Sequence, residues 1–210
     1  MSVKVHEAFC LDSFQDRLLF FDDFEGDQIK DEWRGTGDAG GGADVIDLQT
    51  GGICRLDTGI VVDDDWLIDW FNIRSLLVTK KVTMEARVKT NQNTYLKVYI
   101  ALRFDGLNDI YFYCFDNFGG AHNWQIACVD AGAGAGVDTG VAVDTNYHLF
   151  RIECFPTGEV HFYIDNVECA NSPVTTNITA QYLQPVFSLL TRTTEERTMD
   201  IDYCYIRQER

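Results

Sequence analysis

Residues Tyr147 to Ala170 read YHLFRIECFPTGEVHFYIDNVECA. Phe150, Ile152 and Cys154 alternate with Arg151 and Glu153, and Val160, Phe162 and Ile164 alternate with His161, Tyr163 and Asp165. A period of two puts one face of each run against a core and the other toward water, which is the pattern of a β-strand. Between the runs lies Pro156-Thr157-Gly158. Proline pre-sets a negative φ and glycine tolerates a positive one, so the chain reverses there. Asp165-Asn166 supplies a second reversal, a two-residue hairpin loop of residues that accept the left-handed region. The stretch is an antiparallel meander, and it sets the class as all-β.

The same alternation extends outward. Val82, Met84, Ala86 and Val88 face one way, and Leu96, Val98, Ile100, Leu102 and Phe104 do the same after a turn at Asn91-Gln92-Asn93. Asp109–Asp116, Asn123–Val129, Val137–Val143, Leu183–Thr191 and Met199–Arg207 read as further strands, as do Leu19–Phe24, Ala43–Leu48, Ile53–Asp57 and Trp66–Phe71 upstream. Ile60–Val62 continues the pattern until Asp63-Asp64-Asp65 breaks it. Gly35 to Gly42 (GTGDAGGG) lacks the lysine and the strand-to-helix setting of a phosphate loop, so it reads as a flexible loop, and the AGAGAG run at 131–136 reads as a hairpin loop. Many short strands with regular turn signals and no helical period predict two packed antiparallel sheets. Residues 1–18 are expected to form a short N-terminal arm, and 19–210 one β-sandwich domain.

With 33 acidic against 17 basic residues, the net charge is −16. Phosphate backbones repel such a chain, so nucleic acid is not an expected partner. No long uncharged apolar run is present, so no membrane partner is expected either. The opening MSVKVHEAFCLDSFQD has no apolar leader pattern. The seven cysteines form no CxxC pair and take no metal-ligand spacing with histidine. They are expected as reduced thiols packed in the core, and a catalytic cysteine is not expected.

Four tryptophans raise the question of sugar binding, because sugar rings stack on aromatic faces. Trp66 and Trp70 fall on one side of a strand, and Trp124 adjoins Asn123. These four residues are the candidate glycan contacts. The competing reading is that the large rings fill the sandwich.

Four stretches together resemble the concanavalin A-like jelly roll: FFDDFEGDQIKDEW, KKVTMEARVKT, YHLFRIECFPTGEVHFYIDNVE and MDIDYCYIRQER. That superfamily includes legume lectins, laminin-G-type modules and laminarinase-type glycoside hydrolases. Within it the pattern looks most like sandwich domains of bacteriophage virion proteins. The resemblance implies a non-enzymatic structural or decoration protein of a capsid or tail, assembled in a host cytoplasm and acting through self-association and docking on other virion proteins. The alternative is a module that binds a surface polysaccharide. A glycoside hydrolase is the third reading, because the paired carboxylates of that branch, in an E-x-D-x-E or E-x-D-x-x-E pattern on one strand, are not found here. The resemblance also implies a structural Ca²⁺ held by Asp202, a Gly51 carbonyl and Asp22 or Asp23, since calcium takes six to eight oxygen ligands.

Overall fold

The computed structural model describes residues 17–26, 28–46, 52–70, 75–115 and 122–209. The described residues form sixteen strands: β1 (Arg17–Asp22), β2 (Trp33–Gly37), β3 (Gly42–Ile46), β4 (Ile53–Asp57), β5 (Asp65–Trp70), β6 (Leu76–Leu77), β7 (Val82–Thr90), β8 (Leu96–Arg103), β9 (Asp109–Phe115), β10 (Asn123–Val129), β11 (Val137–Ala142), β12 (His148–Phe155), β13 (Glu159–Ile164), β14 (Val167–Glu168), β15 (Tyr182–Thr191) and β16 (Thr198–Glu209). They pair into two antiparallel sheets. The first runs β14-β13-β12-β7-β16-β4-β3, with β1 also on β16; the second runs β11-β10-β9-β8-β15-β5-β2, with β6 also on β15. The two packed antiparallel sheets predicted from the alternation are observed, in the jelly-roll sandwich that the resemblance implies.

The meander folds as its spacing requires. Phe150 faces Ile164, and Cys154 faces Val160. Asp165 and Asn166 both take positive φ, the backbone of a type I′ hairpin turn. Gly158 closes the other turn at φ 82°, and its amide donates to the Phe155 carbonyl at 3.0 Å. Inward residues of both sheets interdigitate. Phe112 of the second sheet meets Phe150 and Phe162 of the first, each at 5.2 Å between ring centres.

The structure differs from the sequence expectations in three places. Residues 17 and 18 belong to the sandwich, because β1 starts at Arg17 and pairs with β16; the rest of the expected arm, residues 1–16, lies outside the described residues. The glycine-rich stretch is not a free loop. It supplies the end of β2 and the start of β3, and a side chain at Gly37 would come within 2.3 Å of the Asp65 carbonyl and 2.5 Å of the Trp66 ring. The glycines are there because Trp66 lies against the backbone. Ile60, Val61 and Val62 form an exposed bend rather than more strand.

The described cysteines are free and buried, and burial pushes the thiols of Cys128 and Cys169 up to about 12. Such thiols stay protonated and are poor nucleophiles.

One histidine ties the meander to the segment before it. His148 Nδ1 lies 2.6 Å from Asp165 and Nε2 lies 3.1 Å from Asp144. Burial by itself would lower its pKa, but hydrogen bonds and charge from the two carboxylates overcome that and raise it. The protonated form is therefore favoured by folding. Its contribution is fully present below the unfolded value, about 6.5, and is lost as pH rises through the higher folded value. Urea midpoints measured from pH 6 upward are expected to fall across that window, and His148→Gln is expected to flatten the fall.

Candidate functional site

The outer face of the second sheet carries an organised set of side chains. Inward and outward residues alternate on β8 and β9. Val98, Ile100, Phe112 and Cys114 point into the core, which leaves Tyr99, Tyr111 and Tyr113 outside. Register then aligns them with their neighbours. Leu67 faces Ser188, Ser188 faces Tyr99, Tyr99 faces Tyr113 and Tyr113 faces Gln125. At a strand spacing of about 4.8 Å, that row of five spans roughly 19 Å.

The rings lock one another. Tyr99 and Tyr113 stack at 6.1 Å with 23° between planes, and Tyr111 meets both edge-on at 5.2 and 5.4 Å. Tyr113 donates its hydroxyl hydrogen to Gln125 Oε1. A Cβ at Gly136 would lie 1.9 Å from that hydroxyl, so glycine there lets the AGAGAG loop pass over Tyr113. Burial, then the neighbouring tyrosines, push the Tyr111 phenol up to about 12. The Tyr111 and Tyr113 phenols, both raised by burial, are neutral donors at ordinary pH.

Beside this row a groove of about 280 Å³ runs over β15. Asp65 and Leu67 form one wall, Lys97, Tyr99 and Arg103 the other, and Ser188 and Leu190 the floor. Burial, reinforced by Asp38 and Asp64, raises the pKa of Asp65. Arg103 is held by Asp109 at 2.9 Å and lies over Tyr99 at 5.2 Å. The face thus combines fixed aromatic planes with hydroxyl, amide, cationic and acidic groups, which is the mixture a binding cleft uses to orient a ligand.

The residues singled out from sequence are distributed differently. Trp70 and Trp124 are 1% and 3% exposed and belong to the core, where Trp124 packs edge-on against Phe150 at 4.7 Å. Trp66 is partly buried against the same core. The expectation of these three as glycan contacts is corrected: they share strand phase with Ile68 and Ile126, and that phase points inward. Asn123 is on the outer face, where its amide donates to both oxygens of Asp138 at 2.9 and 3.1 Å. The tyrosines were missed. Their signal was the period-two spacing of Tyr111 and Tyr113 opposite an outward Tyr99, which only the β8–β9 register brings together.

Of the calcium candidates, Asp22 and Asp202 point to opposite sides of the sheet. Asp22 points inward and is fully buried; its carboxylate accepts from Phe24 N at 2.9 Å, Lys30 Nζ at 2.6 Å and Trp33 Nε1 at 2.8 Å. Asp202 points outward and pairs with Arg87 at 2.6 Å. Asp23 accepts from the Glu25 amide at 3.4 Å, and Gly51 lies outside the described residues. Among the described residues, no group of three His, Cys, Asp or Glu side chains is placed to hold a metal ion.

No family model and no curated protein sequence matches the chain. Solved structures do. A protein of unknown function from Shewanella oneidensis superposes with a TM-score of 0.70 at 8% identity, over 93% of this chain and 87% of its own. A β-1,3-glucanase from Mycobacterium marinum gives 0.64 at 14%, over 89% and 97%. The GH16 protein of a Bacteroides ovatus mixed-linkage glucan locus, in complex with a G4G4G3G product, gives 0.66 at 15%, over 89% and 99%. The fold is therefore the concanavalin A-like jelly roll that the opening motifs resemble. The comparisons lend no support to the virion reading. They also correct the expectation of a non-enzyme, because the scaffold is one on which glucanases are built.

Proposed function

We propose that this sandwich recognises a polysaccharide, and that the glycan lies on the outer face of the second sheet. The observation that carries the reading is the row Leu67–Ser188–Tyr99–Tyr113–Gln125 beside the groove. Sugar rings present apolar faces and polar edges, and rigid tyrosines supply a flat surface with little rotamer entropy to lose. Ser188 and Gln125 stand beside the rings as hydrogen-bonding partners. The same fold in a β-1,3-glucanase and in a protein holding a glucan product makes β-linked glucans the first class to test.

In affinity electrophoresis the full chain is expected to be retarded by laminarin or mixed-linkage β-glucan. Tyr99→Ala and Tyr113→Ala should each weaken that binding about tenfold or more, as expected for central aromatic contacts. Trp124→Phe should leave it unchanged. Equal retardation of both tyrosine variants and the parent would sink the reading.

A second reading is cleavage of the bound glycan. It is favoured by Asp65, an acid in the groove wall whose pKa is raised by burial and by Asp38 and Asp64. A carboxyl whose pKa is moved upward is the direction that general-acid work requires. Reducing ends released from laminarin by the parent chain but not by Asp65→Asn would establish it.

A further inference from the structure

Among the described residues most cations are neutralised at close range. Every arginine with a described side chain is in an ion pair, including Arg34 with Asp69, Arg103 with Asp109 and Arg192 with Asp63. Lys30 and Lys89 are paired as well. Lys97 is not. Among the described residues no carboxylate lies within ion-pair distance of it, although it lines the groove. Its ammonium instead sits 4.9 Å from the centre of the Tyr99 ring and 5.7 Å from that of Phe115. Lys80 and Lys81 also lack a carboxylate, but neither lines the groove.

Two further cations stand on the same rings. Arg103 lies over Tyr99 at 5.2 Å, and Arg192 over Phe115 at 4.9 Å. Phe115 is 42% exposed. Across the floor, Asp65 is separated from Lys97 by Leu190, two strand spacings or about 10 Å away. A cation–π contact holds an ammonium without satisfying its three donors.

We propose that the groove takes a polysaccharide bearing anionic groups, uronate carboxylates or sulfate esters, with Lys97 pairing to the charge beside Tyr99. The inference rests on the polysaccharide reading above and specifies its substrate class. The net charge of −16 opposes a polyanion at long range. At physiological ionic strength that field is screened beyond about 8 Å, so the local pairing at Lys97 decides.

Three ligands on one backbone test it: laminarin, carboxymethyl laminarin and sulfated laminarin, titrated calorimetrically into the full chain at 150 mM salt. The parent is expected to bind at least one charged form about tenfold more tightly than laminarin, a difference that an ion pair partly shielded from water supplies. Which charged form is preferred separates carboxylate from sulfate. Lys97→Met, which keeps the apolar stem, should bring that preference to about one; Lys97→Arg should keep it. Equal affinity for neutral and charged forms, or an undiminished preference in Lys97→Met, overturns this inference and leaves glycan recognition standing. No binding of any of the three overturns both.

Discussion

Asp22→Ala lowers the stability of the sandwich by about 2–5 kcal/mol, the cost of leaving two buried donors without their acceptor. The carboxylate is fully buried and takes three donors. Two of them have no route to water: the Trp33 side chain belongs to a residue 5% exposed, and the Phe24 amide to one 1% exposed. Each is left as a buried unpaired donor, which costs about 1–3 kcal/mol. Lys30 is partly exposed and turns back to solvent, so its share is smaller. The location adds to the effect. Asp22 ends β1 in the first sheet, and Trp33 begins β2 in the second, so the bond joins the two layers. Urea denaturation checks this. Asp22→Asn, which keeps the shape and one acceptor oxygen, should recover part of the loss. A loss below about 1 kcal/mol in the alanine variant would mean that the cluster is not what holds β1 down.

The second large effect is at Phe112. Phe112→Ala is expected to cost about 3–5 kcal/mol, because truncation leaves a cavity in a core that cannot close over it. The ring is fully buried and meets Phe150 and Phe162 of the opposite sheet edge-to-face. In a domain of this size that loss lowers the melting temperature by roughly 10 °C. The consequence reaches the outer face. Phe112 lies between Tyr111 and Tyr113 on β9, so its packing sets the position of both phenols. Phe112→Leu should restore most of the stability and most of the glycan affinity together. Affinity that stays at the parent level in a destabilised alanine variant would separate the platform from the core beneath it.

How far the sequence could be read depended on what kind of information each feature needs. The meander was legible because Phe150, Ile152 and Cys154 alternate with polar residues and because Asp165-Asn166 is a turn that few other pairs make. Period and turn chemistry are local, and the backbone obeys them locally. The inward phase of Trp66, Trp70 and Trp124 was also local, written in their spacing from Ile68 and Ile126. Reading those rings as ligand contacts put residue type ahead of phase. The converse held for the tyrosines, whose outward phase was visible one strand at a time.

The sequence by itself determined the class, the antiparallel pairing of neighbouring segments and which side of each strand is buried, since these follow from a two-residue period and from turn residues acting over a few positions. Only the tertiary structure decided which strands lie beside one another across long separations. Ser188 of β15 reaches Tyr99 of β8 and Leu67 of β5 through register alone. Asp22 and Asp202 are parted because one strand face is core and the other solvent. Lys97 meets Tyr99 and Phe115, and among the described residues no carboxylate pairs with it, a property of packing that no spacing along the chain encodes.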